Sequence, residues 1–178
     1  DALKKDLLPG VISGNTVLTA ALFEIGDPAL SRTARTRAEA SADGFVLSGQ
    51  KVCVPYAAGS DKILVSAQGD AGLGLFLVEP GAAGVTLEEQ ETTAHERQFL
   101  MTLDGATVAG GDVLAAPGEG EAVLDWLEPR AATALSAIAV GVAGEGLQQT
   151  AAYTSERKQF DKAIGSFQGV SLRAADAY

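Results

Sequence analysis

The chain has 178 residues, 47% of them hydrophobic, which is enough for one substantial core or for one domain with part of another. Its formal net charge is −10 with the 13 basic residues scattered, so the positive footprint that nucleic acids and anionic membrane surfaces require is absent. A lone Cys53 excludes an internal disulfide framework and suits a reducing compartment, and a lone His95 cannot build a metal site.

In chain order, Asp1 to Leu8 reads as the end of a helix closed by Pro9-Gly10. From Thr16 to about Leu114 the pattern is short and β-like, with strands expected at 16–24, 35–40, 44–47, 51–54, 63–67, 74–78, 85–88 and 99–103. Gly, Pro, Asp and Ser punctuate these runs at short spacing, the mark of an antiparallel barrel or sandwich. Gly118-Glu-Gly-Glu121 then changes the period. Val123, Leu124, Leu127, Ala131, Leu135, Ile138 and Val142 recur at helical spacing through Leu147, with Pro129 expected to kink or divide the helix.

The uncharged run from Ala131 to Gly144 falls short of the roughly 20 residues that span a bilayer. Its small residues read as a helix packed within a bundle, so no membrane is expected. The domains expected are residues 1–14 (the end of a helical domain), 15–117 (a β domain) and 118–178 (the start of a helical bundle). The class is α+β. The chain starts at Asp1 without an initiator methionine and stops at Tyr178 inside a helical pattern, so it reads as the middle of a longer protein. No targeting pattern is visible, and a cytoplasmic location is expected.

The stretch from Tyr153 to Gln168 carries the most chemistry. Read as a helix, it sets Tyr153, Arg157 and Phe160 on one face, followed by a turn at Asp161 to Gly165 and a second helix carrying Gln168, Leu172 and Ala175. An arginine fork, an aromatic face and an amide suit a phosphate-bearing planar ligand. Ordinary amphipathic helix surface is the competing reading of the same residues.

The spacing Tyr-x-x-x-Arg-x-x-Phe-x-x-x-Ile-x-x-x-Gln resembles the C-terminal-domain motif of the acyl-CoA dehydrogenases. Gly44-Phe-Val-Leu-Ser-Gly-Gln-Lys-Val-Cys-Val54 is similar to that family's Gly-x-Tyr-x-Leu-Asn-Gly-x-Lys-x-Trp-Ile strand pair, and Asp61 to Val65 to the strand that follows. The resemblance implies an antiparallel β-barrel middle domain followed by long bundle helices. It also implies FAD, an acyl-CoA substrate and an oligomer, homomeric or heteromeric, whose subunits share flavin sites. The implied reaction takes a proton from the carbon α to a thioester and a hydride from the β carbon. The family's carboxylate base lies beyond Tyr178, so no catalytic residue is assigned here.

By the same resemblance, Leu22, Phe23 and Glu24 correspond to the strand that holds the flavin's pyrimidine edge. Cys53 and Pro55 stand where the family has tryptophan and threonine. Phe23 stands at a threonine position, and Pro28-Ala-Leu30 replaces a Gly-Ser-Asp tripeptide. Arg157 would meet the pyrophosphate of a neighbouring subunit's FAD, with Gln159, Phe160 and Gln168 near its adenosine half. Asp161 replaces the usual glycine, and Ala132 an expected arginine, with Arg130 two residues earlier. Contacts to the neighbour's flavin persist while those to the chain's own have drifted. Two readings follow: a dehydrogenase with an unusual flavin grip, or a non-catalytic helper subunit of a heteromeric dehydrogenase. A flavin monooxygenase of the same fold is a third. Cys53 is expected to be a half-buried, inert thiol.

Overall fold

A computed structural model describes residues 2–27, 30 and 32–178. The chain divides into two compact units, Asp1–Asp125 and Trp126–Tyr178.

In the first unit, helix α1 (Ala2–Ser13) contains Pro9. The expected stop at Pro9-Gly10 is therefore displaced. Gly14, at φ 76°, ends the helix instead, with its N–H bonded to Val11 O at 3.2 Å and that of Asn15 to Gly10 O at 2.9 Å. That pairing satisfies the last carbonyls through a left-handed residue that glycine adopts without strain.

Eight strands follow: β1 (Leu18–Ala21), β2 (Arg37–Ser41), β3 (Gly44–Pro55), β4 (Lys62–Gly69), β5 (Gly72–Val78), β6 (Val85–Gln90), β7 (Gln98–Ala109) and β8 (Val113–Ala115). They form one sheet in the order β6-β7-β3-β2-β4-β5-β8, with β1 also paired to β4. The α+β class stands, but two features differ from the expected antiparallel barrel. The path is not closed, and β1 and β2 both run parallel to β4. The two strands expected at 44–47 and 51–54 are one, because Ser48-Gly49-Gln50 forms no turn. The ladder with β7 shifts register between Leu47 and Gly49 and again between Lys51 and Val54, so the chain absorbs extra residues as bulges and continues. Leu47, Val54, Ile63, Val65, Phe76, Phe99 and Met101 lie in the core of this sheet.

The second unit carries most of helix α2 (Gly120–Glu156), unbroken through Pro129. Strands β9 (Lys158–Gln159) and β10 (Lys162–Ala163) pair as a hairpin, and helix α3 (Gln168–Ala177) follows. Leu135, Ile138, Val140 and Val142 of α2 are more than 60% exposed. The whole helix meets the length and composition of a membrane span, which the Ala131–Gly144 run alone does not. A helix buried among other helices has the same composition.

Candidate functional site

Two clusters hold the residues picked out in the sequence, one on each unit. On the sheet, the chain leaves β1 at Ala21 and makes a single bridge to β3, where Val52 donates to Phe23 O at 2.9 Å. That bridge brings Leu22, Phe23 and Glu24 alongside Cys53 and Pro55. The Phe23 ring is 42% exposed, Leu22 and Pro55 are half-buried, and Cys53 is exposed. The expectation of a half-buried thiol fails because Cys53 sits at φ 55° in the second bulge of β3, which turns it outward. Its N–H donates to Gln90 Oε1 at 2.9 Å. The Thr19 hydroxyl donates to Pro55 O at 2.6 Å. The Thr19 hydroxyl and the Cys53 N–H at this edge are thus already engaged, and the side chains of Phe23 and Pro55 add no donor. Pro28 and Ala29 lie outside the described residues.

Glu24 is buried, and its carboxylate is the hub of the cluster. Oε1 accepts from Lys51 Nζ at 2.7 Å, from the Thr36 hydroxyl at 2.7 Å and from Thr36 N at 2.9 Å. Oε2 accepts from Arg35 N at 2.7 Å. Lys51 is 0% exposed and donates a second hydrogen bond to Ser66 Oγ at 3.0 Å. Burial pushes the Glu24 carboxyl up, but the Lys51 ammonium, the Thr36 hydroxyl and the two backbone N–H groups together outweigh it and hold it at about 2. Burial pushes Lys51 down, and its bond to Glu24 and the charge of Asp27 only partly offset that. Lys51, Thr36 and Ser66 were not singled out in the sequence. A period-2 count along β3 from Leu47 through Gly49 does place Lys51 on the core face, where an ammonium demands an acid.

Gly49 permits this packing. At φ 150°, a Cβ there would lie 2.6 Å from Thr36 Cα and 2.7 Å from Thr36 Oγ1. Gly49→Ala is expected to push Thr36 off Glu24 and destabilise the sheet by about 1–3 kcal/mol, the usual cost of overpacking, read as a lowered urea midpoint.

On the second unit, the expected single face of Tyr153, Arg157 and Phe160 does not form. The helix ends at Glu156, and Phe160 (φ 52°) and Asp161 (φ 60°) are the two central residues of the β9–β10 turn. Two successive left-handed residues define the tight turn that matches strand twist, and a residue without a Cβ suits it best. Asp161 is therefore a hairpin residue, not a helix-end residue. Arg157 O accepts from Ile164 N at 2.8 Å, tying the hairpin's two ends together. The Arg157 side chain makes no hydrogen bond or ion pair among the described residues, and Arg157, Gln159 and Gln168 are exposed. Phe160 is 86% exposed, edge-on to Phe167 at 6.3 Å between ring centroids. Arg130, near the expected arginine position, stacks 3.9 Å over the Trp126 ring.

Residues 122–178 match the family "Acyl-CoA dehydrogenase, C-terminal domain". The chain belongs to the acyl-CoA dehydrogenase family and represents a stretch of such a protein. Acyl-CoA dehydrogenase FadE27 of Mycobacterium tuberculosis is 36% identical over 168 residues, covering 94% of this chain and 42% of that protein. Among solved structures, the Tcur3481-Tcur3483 steroid ACAD is 40% identical with a TM-score of 0.86, covering 99% of this chain and 46% of that one. A glutaryl-CoA dehydrogenase from Mycobacterium smegmatis in complex with FADH2 is 26% identical, with a TM-score of 0.89 over 99% of this chain and 46% of that one. The chain spans less than half the length of the curated relatives named first.

Proposed function

We propose that the complete protein takes part, as an oligomer, in flavin-dependent α,β-dehydrogenation of an acyl-CoA thioester. The observation that carries this reading is the uncommitted Arg157 guanidinium, presented beside exposed Gln159 and Phe160 on a tight hairpin. A guanidinium with no internal partner is free to take phosphate oxygens in its planar fork. Phe160 offers an apolar face, and Gln168 an amide at the start of α3. These residues fit the pyrophosphate and adenosine half of FAD held by a neighbouring subunit. On the sheet, Leu22, Phe23, Glu24, Cys53 and Pro55 fit the isoalloxazine only through backbone groups and the Phe23 ring. When bound, FAD accepts the hydride from the acyl β carbon. The chain's own contribution is to bind and orient it.

The engaged Thr19 hydroxyl and Cys53 N–H favour a second reading, a helper subunit that completes a partner's FAD site while its own is weak. A solved relative whose name joins two components is consistent with a paired assembly of that kind. The apolar faces of α2 suit a helical bundle, and we place the protein in the cytoplasm, outside the bilayer.

The deciding measurement is the FAD-to-subunit ratio of the complete protein, purified alone and then with a co-expressed partner. One flavin per subunit alone is expected of a self-sufficient dehydrogenase. A colourless protein that gains about half a flavin per subunit only with its partner supports the helper reading. No flavin under either condition overturns both.

A further inference from the structure

We infer that Lys51 is a positioning residue for the flavin-facing edge of the sheet, acting through Glu24. The inference rests on the reading of Leu22–Glu24 and Cys53–Pro55 as that edge. These two segments meet at the single bridge between Phe23 and Val52. Immediately on one side of the bridge are Leu22 and Cys53. On the other side, the next residue of each segment is Glu24 or Lys51, joined at 2.7 Å.

The ion pair thus cross-links the same two segments that carry the candidate contacts, one residue from the bridge, from beneath. Between these two segments the Phe23–Val52 bridge is isolated, with no regular ladder to do so. β1 ends at Ala21, and the β3 register shifts between Lys51 and Val54. Lys51 is 0% and Glu24 5% exposed, so neither side chain reaches a ligand directly. Every donor to the carboxylate comes from elsewhere on the sheet or its loops: Lys51 from β3, and Arg35 and Thr36 from the segment before β2. The hub therefore determines where the Leu22–Phe23 backbone sits relative to the outward bulge at Cys53. An edge that keeps few side-chain donors depends all the more on backbone placement.

The test uses the complete flavoprotein with Lys51→Met, and with Thr36→Val as a milder variant that removes one hydroxyl donor and keeps the charge pair. FAD affinity, the visible spectrum of the bound flavin and the thermal midpoint are measured for each. In folded Lys51→Met, FAD binding is expected to weaken about tenfold, as for an indirect contact, with a displaced flavin absorption band. If Lys51→Met does not fold, Thr36→Val is expected to displace the same band and weaken binding about threefold. Loss of stability with unchanged affinity and spectrum would show a purely structural pair and overturn the inference. Flavin loss with Arg157→Ala but not with the hub variants also overturns it, while leaving the FAD reading intact. A wild-type complex that takes up no FAD removes the underlying reading instead.

Discussion

Glu24→Ala is expected to destabilise the sheet unit by about 3–5 kcal/mol, the cost of leaving a buried charge without its partner. Lys51 would keep only Ser66 Oγ at 3.0 Å, and Thr36 N and Arg35 N would lose their acceptor. Replacing both charges, as in Glu24→Gln with Lys51→Met, is expected to recover much of that loss, since an amide still accepts from Thr36 and no ion is stranded. Urea denaturation of Glu24→Gln, Lys51→Met and the double variant beside the wild type forms the cycle that isolates the pair.

The same hub sets an acid limb. The Glu24 carboxyl stands at about 2 in the fold against an ordinary 4.5. The folded state therefore binds fewer protons than the unfolded state between those values. Its contribution is complete above about 4.5 and is lost as the pH falls toward 2. In Glu24→Gln that part of the slope should vanish. An unchanged acid limb would mean other carboxylates control it.

Arg157→Ala is expected to lower FAD retention in the oligomer tenfold to a hundredfold while the sheet unit stays folded. Losing one charge-assisted phosphate contact costs roughly 1.5–3 kcal/mol, which is that range of affinity. The guanidinium is exposed and makes no bond within the described residues, so its removal should leave the thermal midpoint of the flavin-free protein within a degree or two. A fall in the flavin-free midpoint would point to a structural role. Unchanged FAD content would remove Arg157 from the site. Gel filtration on the same samples separates flavin loss from dissociation of the oligomer.

Much of the architecture was legible in the residues. Alternating apolar runs between Gly, Pro and Asp punctuation determined a β unit, and the change to helical spacing after Gly118 determined long helices, because both periods are local properties of the backbone. The order of motifs determined the family. What the sequence could not determine was where local signals are overruled by pairing and packing. Pro9 read as a stop and Pro129 as a kink or a division, yet α1 runs through the first and α2 is not divided at the second, because a missing N–H costs one hydrogen bond and the rest of each helix remains. The Ser48-Gly49-Gln50 segment read as a turn, but bulges against β7 keep β3 continuous. Arg157 and Phe160 fit a helix face by spacing alone, whereas the tertiary structure places them on a hairpin whose two left-handed turn residues no periodicity reports. The parallel pairing of β1 and β2 with β4, in a sheet that stays open, and the buried Glu24–Lys51 pair are of the same kind. Each depends on residues 27 positions apart or more, and only the folded chain brings those together.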